Sequence, residues 1–448
     1  MRAYRGFKEA TLNTCLTAPT TQSPNIMWFD PLLRARTTEL AHSVQCLRDA
    51  LLLHETDIGA RKRARKQADE EKFGLAVEAL ACNLILLSAI DCGPRLAVPR
   101  SHGLLWRGDG SANPVYGQHF LSAIDYLASL GLIEEEQRGY RLSEKMRLPS
   151  LIRPSAALAE HLPLAPPDWR SVTQIDDRAL IILKESKDDA GRAATIAFRE
   201  TANTRQLARQ MGRINEFLRS ADIGVTGQNT GLSLGKDGQV IAPYRRSLRR
   251  IFNNADWRQG GRLAGGFWMG MERTERFERI RIDDERIADV DYRQLFPRLA
   301  YVRAGKPQPE GDIYDVAGDG SGRNGWKTLM NAMMFSVGPL RNWPEDTLQH
   351  FPSGTKLREA IKMLLARHAP IASLFGAGLG FQLMRIESDM LIGIITHLAS
   401  IGVTALPLHD AVLVAESKAH VAADAMQAAF STWTGSSCAI VSVEFCKR

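Results

Sequence analysis

One segment restricts this chain more than any other: Val403-Thr-Ala-Leu-Pro-Leu-His-Asp-Ala-Val-Leu-Val-Ala-Glu416. Two apolar runs flank His409-Asp410, which reads as strand, turn, strand with one carboxylate at the tip. An acid held between buried strands is costly unless it is paired or holds a metal ion. Upstream, Arg286-Ile-Ala-Asp-Val-Asp-Tyr292 reads as another strand ending in acid. Asp289 and Asp291 lie two apart and share a face if the strand continues. Two acidic strand ends in one domain can clamp a pair of divalent cations. Oxygen ligands suit Mg²⁺, and two such ions stabilise both oxygens of an in-line phosphoryl displacement.

Between the acids runs Gly322-Arg-Asn-Gly-Trp-Lys-Thr-Leu-Met-Asn-Ala-Met-Met-Phe335. As a helix it sets Arg323, Lys327, Asn331 and Phe335 at i, i+4, i+8 and i+12, close to a single stripe. Two cations, an amide and a ring in a row suit a triphosphate, a sugar and a base. An ordinary amphipathic helix with solvated cations has the same spacing, so both readings stand at this point.

The first half is less specific. Hydrophobic residues are 44% and charged residues 24%, which excludes wholesale disorder. The net charge of +7 leans towards an anionic partner. The cysteines (15, 46, 82, 92, 438 and 446) form no C-x-x-C pair, and a reduced, cytoplasmic protein is expected. The first residues lack the apolar core of a signal peptide, and the most apolar run, Ala79 to Ile90, is broken by Asn83, so no membrane is expected.

Helical spacing runs from Pro31 to Ile90 with Leu47, Leu51 and His54 near one face. The charged run Arg61-Lys-Arg-Ala-Arg-Lys66 faces Asp69-Glu-Glu-Lys72 along it. That run is either a solvated helix face or a phosphate-contacting strip. Residues 117–133 predict an amphipathic helix with Phe120, Ile124 and Leu127 inward, ending at Gly131. β-like Leu132-Ile-Glu134 and Tyr140-Arg-Leu142 come next, the outline of a winged helix. Leu162-Pro-Leu-Ala-Pro-Pro-Asp168 reads as a linker, and Thr204 to Ser220 as a basic helix.

The order of the carboxy-terminal pieces resembles the polymerase domain of family A DNA polymerases over roughly 256–416. That family's first motif, Asp-Tyr-Ser-Gln-Ile-Glu-Leu-Arg, is similar to Asp291-Tyr-Arg-Gln-Leu-Phe-Pro-Arg298. Its second places an Arg, then a Lys, then an aromatic, as Arg323, Lys327 and Phe335 do. Its third, His-Asp-Glu, is echoed by His409-Asp410-Ala411. Gly260-Gly-Arg-Leu263 resembles the family's Thr-Gly-Arg-Leu, and Gly311-Asp-Ile-Tyr314 its Asp-Ile-His.

The resemblance implies an α+β right-hand polymerase: an antiparallel palm sheet and helical fingers, preceded by a mostly helical region with a winged-helix-like module. The implied division is a helical region at 1–95, the winged-helix-like module at 96–160, a linker and thumb-like region at 161–255, and palm and fingers at 256–448. Asp291, Asp410 and the carbonyl of Tyr292 would hold two Mg²⁺ ions. Arg323 and Lys327 would hold the triphosphate of a dNTP, Phe335 would stack near the nascent pair, and Arg298 would support the carboxylates. His409 and Arg262 would lie at the DNA primer–template.

Departures from the family pattern carry their own expectations. Phe296 replaces the Glu that helps exclude a ribose 2′-OH, and its ring can do so sterically, as aromatics do in reverse transcriptases. It also reads as a plain core residue. Asn331 replaces an aromatic, leaving discrimination at the 3′ position open, and Ala411 replaces the last Glu. The stretch from Lys327 to Asp410 is short for the family, which implies trimmed fingers. Residues 1–250 show no exonuclease-type acidic motifs, so no proofreading is expected. From Tyr244 to Arg281 there are ten arginines, Arg245 and Arg246 among them, against four acids, with Trp257, Phe267 and Trp268 interleaved. Such a mixture suits backbone tracking and base stacking, or else a salt-bridged surface.

The expected activity is template-directed extension of a DNA primer. Two alternatives stay open: an RNA-synthesising or priming enzyme of the same superfamily, and a DNA-binding replication or regulatory protein that retains a silent palm.

Overall fold

Thr37 stops the chain from running on as a strand: its hydroxyl accepts from the backbone N–H of Leu40 and opens the first long helix. The structure is a computed structural model. It describes residues 25–61, 63–90, 93–100, 113–139, 149–164, 169–175, 179–188, 191–226, 232–234, 238, 240–437 and 439–446. These residues fall into two compact units. One is drawn from Leu16–Asp177 and Val225–Arg245, the other from Arg178–Gly224 and Arg246–Arg448. The architecture is mixed α and β with several small sheets.

In the first unit, β1 (Ile26–Trp28), β3 (Arg95–Val98), β5 (Ser150–Pro154) and β4 (Ile133–Gln137) form a sheet in that order. A strand pair joins β2 (Leu33–Ala35) to β6 (Val172–Gln174). Helices α1 (Thr38–Asp57), α2 (Gln67–Ala89) and α3 (Gln118–Ser129) supply much of the core. Phe120, Ile124 and Leu127 of α3 are fully buried as their spacing predicts, and each such side chain contributes about 1.5–3 kcal/mol. The helix stops at Gly131, whose φ is +68°, and β4 comes next. Tyr140, Arg141 and Leu142, the second β-like segment, lie outside the described residues.

The helix does not continue through the charged run. Gly59, at φ +61°, takes up the turn that ends α1, and α2 opens only at Gln67, so the run cannot pair along one helix with Asp69–Lys72. Arg65 instead donates twice to Glu55, at 2.6 and 3.1 Å, and its guanidinium covers the Phe73 ring at 4.2 Å. Glu55, not His54, takes the buried position next to Leu51 and accepts a further hydrogen bond from the Tyr126 hydroxyl. Among the described residues α2 alone is long and apolar enough to cross a membrane by length and composition, and 72% of its most apolar window is buried inside the protein. Asn83, which interrupts that run, is satisfied: its amide donates to the carbonyls of Asp30 and Ala79 and accepts from the Asp30 N–H.

The described residues of the second unit hold two four-stranded sheets. In one, β10 (Asp256–Ala264), β9 (Arg249–Asn253), β7 (Ile181–Lys184) and β8 (Thr195–Ile196) lie side by side, with α4 (Ala202–Ser220) opened by a Thr201–Thr204 capping box. The other carries the acids. Its order is β12 (Leu406–Leu408), β13 (Ala411–Ala415), β11 (Ile287–Arg293), β14 (Ile440–Phe445), antiparallel throughout. Around them come α5 (Arg273–Arg279), α6 (Leu295–Arg303), α7 (Arg323–Phe335), α8 (Leu357–Arg367), α9 (Gly380–Ser400) and α10 (Ala419–Thr434).

Candidate functional site

Strand alternation sets the acids. On β11, Ala288, Val290 and Tyr292 point into the core, so Asp289 and Asp291 share the opposite face. Asp291 is registered against Ala411 of β13, and Leu408 of β12 against the same Ala411. The β12–β13 turn therefore brings Asp410 to the end of β11 that bears Asp291. His409 occupies that turn at φ +60°, the left-handed conformation a tight hairpin needs, and it is exposed.

The two carboxylates feel each other. Burial, then Asp410, then Asp289 push the Asp291 carboxyl well above the usual range, while Lys327 and Arg293 pull it back. Asp289 is also raised, by burial and by Asp410, against the pull of Arg276 and Arg273. The Asp289 Oδ1 atom is buried without a hydrogen-bond partner among the described residues. Crowded, half-desolvated carboxylates of this kind are what a divalent cation relieves. Among the described residues no group of three or more His, Cys, Asp or Glu side chains could hold a metal ion unaided. The donor set fits Mg²⁺ nonetheless, because that ion is commonly held by one or two carboxylates together with substrate phosphates.

Tyr292 turns its ring away from this face, is buried, and donates its hydroxyl to the Met426 carbonyl. Its side chain is thus structural and leaves the backbone as its contribution. Gln294, at φ +60°, ends β11 and starts α6. Its amide donates to Asp312 at 2.9 Å and accepts from Arg298 at 3.0 Å and from the Ile313 N–H at 3.2 Å. Arg298 also donates to Gln308 at 2.8 Å and is buried. Its link to an acid runs through Gln294 to Asp312.

On α7 the stripe is present. Arg323, at the first helical position, is ion-paired with Asp312 and lies 5.4 Å from the centre of the Tyr314 ring. Lys327 is exposed, with its ammonium 5.9 Å from the same ring. Asn331 keeps a buried Oδ1 without a hydrogen-bond partner among the described residues. Phe335 stacks obliquely on Phe296 at 5.9 Å and meets Phe381 edge-on at 5.1 Å.

In the basic stretch most of the arginines are paired or bound within the protein. Arg246 donates to the carbonyls of Leu218, Ala221 and Ile223, closing the end of α4, whose last carbonyls have no helical partner. Arg245 donates to the Val240 carbonyl. Arg250 is buried against Asp389, Arg258 pairs with Asp256, Arg273 with Glu444 and Arg279 with Glu275. Arg262 donates twice to Glu387. Trp268 and Phe267 are core residues, and Trp257 packs between Phe198 and Phe252. Counted as net charge the segment is an open cationic strip; folded, most of its guanidiniums are neutralised or bound by carbonyls.

Glu387 was not singled out from the sequence. The signal was available: it is an acid at i+4 from Leu383 and i−4 from Leu391, both buried positions of α9, and a buried acid demands a cation. Asp312 and Tyr314 belonged to a segment noticed as an echo, without a role for either.

No family model and no curated protein matches the chain. Among solved structures it is similar to the POL domain of Pol1 from M. smegmatis in complex with DNA primer–template and dNTP, at 12% identity and a TM-score of 0.31. The match covers 58% of this chain and spans 57% of that one. The functional reading comes from this chain's own residues.

Proposed function

We propose that this chain is a template-directed nucleotidyltransferase: a cytoplasmic DNA polymerase that extends a primer with dNTPs and has no proofreading. The observation that carries the reading is the pair Asp291 and Asp410, brought together at one sheet end and opposed by Lys327. Two mutually repelling carboxylates facing a cationic helix serve phosphoryl transfer better than they serve stability.

In this reading the β12–β13–β11–β14 sheet is the palm, α7 and α8 are the fingers, and the α3–β4 segment of the first unit is winged-helix-like. Asp291, Asp410 and the Tyr292 carbonyl would hold two Mg²⁺ ions. When bound, these supply charge neutralisation and lower the pKa of the attacking 3′-hydroxyl. Lys327 would neutralise charge on the transferring phosphoryl group. Arg323 would exchange Asp312 for the triphosphate, with Tyr314 keeping its guanidinium aligned by ring stacking. Phe335 and Phe296 would form the wall against base and sugar, and the Phe296 ring would exclude a 2′-OH sterically. Asn331 offers an unused acceptor beside that wall. His409 and Arg262 would border the primer terminus.

The test is extension of a labelled primer on DNA and RNA templates with Mg²⁺, supplying dNTPs or rNTPs, with Asp410→Ala as control. Incorporation of dNTPs that the variant abolishes is expected. Salt-sensitive DNA binding with no incorporation under any condition would replace this reading with a silent palm, and incorporation of rNTPs alone would replace it with a priming enzyme.

A further inference from the structure

We propose that Glu387 is a positioning residue for sugar selection, acting through Arg262 on the Phe296 ring; the inference rests on the polymerase reading. The geometry is continuous. Glu387 is 2% exposed on α9 and accepts from Arg262 Nε at 2.7 Å and Nη2 at 3.0 Å. A two-pronged pair of this kind holds the guanidinium plane in one orientation. The Arg262 Cζ lies 5.8 Å from the centre of the Phe296 ring, which also meets the Phe335 ring at 5.9 Å. Phe296 is thus fixed between an anchored cation and an aromatic ring of the nucleotide-binding helix.

The strand bearing Arg262 is itself locked to α9. Ser388 donates to the Gly261 carbonyl, and Asp389 pairs at 2.6 Å with Arg250 of the adjacent β9, which also donates to that carbonyl. Gly260 and Gly261, at φ +78° and +87°, carry the irregular β9–β10 pairing that allows this approach; a Cβ on Gly261 would stand 3.2–3.3 Å from Arg250 and Phe252. Two successive residues of α9, Glu387 and Ser388, therefore fasten β10, the next, Asp389, holds the neighbouring β9, and Glu387 passes its constraint through Arg262 to the Phe296 ring. A buried ion pair adds little net stability compared with apolar packing, while it does specify geometry. Retaining one here makes sense if the position of Arg262 matters.

The experiment is single-nucleotide incorporation with each dNTP and its rNTP on one primer–template, giving kcat and KM separately for wild type, Glu387→Gln and Glu387→Asp. Wild type is expected to favour dNTPs. Glu387→Gln should cut that preference about tenfold or more, chiefly by lowering KM for the rNTP, and Glu387→Asp should restore part of it. Equal losses of kcat/KM for both sugars, or an unchanged preference, would overturn the inference and leave the polymerase reading intact. A wild type that incorporates neither nucleotide overturns both. Should Glu387→Gln fail to fold, Arg262→Lys tests the same link, because the ratio of the two sugars is read on one template; an unchanged ratio there also overturns it.

Discussion

The Trp268 indole N–H donates to the Pro407 carbonyl at 2.8 Å, joining residues 139 positions apart. Pro407 lies in β12, so this bond pins the hairpin that carries Asp410 to the segment just after β10. Trp268 is fully buried, and its removal would strand a carbonyl in the core. Trp268→Phe is expected to cost about 2–3 kcal/mol, read by urea denaturation, with incorporation falling further than stability alone explains. A variant as stable as wild type would show that the hairpin is held elsewhere.

Asp291 sits in a place that favours its neutral form, because burial and Asp410 both oppose its charge. A raised carboxyl pKa means that its ionised form destabilises the fold at neutral pH and above. Asp291→Asn should therefore raise Tm in EDTA at pH 8 while abolishing incorporation. Millimolar Mg²⁺ should stabilise wild type and leave the variant nearly unmoved, by linkage to the folded state. A lower Tm for the variant in EDTA would count against the repulsion described.

His368, buried beside the Tyr301 hydroxyl at 3.0 Å, has its pKa lowered to about 4, mainly by burial. Between that value and the ordinary range near 6.5, the unfolded chain binds the proton and the folded chain does not. Stability should therefore fall as pH drops through this window, by at most about 1.4 kcal/mol per pH unit for one proton. Denaturation at stepwise pH should show a shallower slope for His368→Gln; parallel slopes would remove His368 from the account.

Gly380 begins α9 directly beneath the Phe335 ring, and a Cβ there would overlap the ring carbons. Gly380→Ala is expected to displace the ring, costing about 1–3 kcal/mol as overpacking does. It should raise KM for dNTPs by about tenfold, with a smaller change in kcat. Unchanged KM with lower stability would separate Phe335 from the nucleotide.

What could be read before folding was local. The alternation of residues 286–293, the apolar runs around His409-Asp410 and the stripe from Arg323 to Phe335 became β11, the β12–β13 hairpin and α7. Each depends on a repeat of 2 or 3.6 residues that neighbouring side chains suffice to set. The boundary at Gly59 was missed because the charged run after it keeps helical spacing without the apolar face needed to hold a helix down.

The order of the acids and cations along the chain was thus determined by the sequence itself, as was the class of chemistry those residue types can support. Which cation meets which acid was decided only by the tertiary structure. Arg262 and Glu387 are 125 residues apart, and Arg250 and Asp389 are 139 apart. A count of net charge treats all ten arginines of residues 244–281 alike. Packing distinguishes them, because a guanidinium carried into the core must find a carboxylate or a carbonyl there, and the element that supplies it is brought in from elsewhere in the chain.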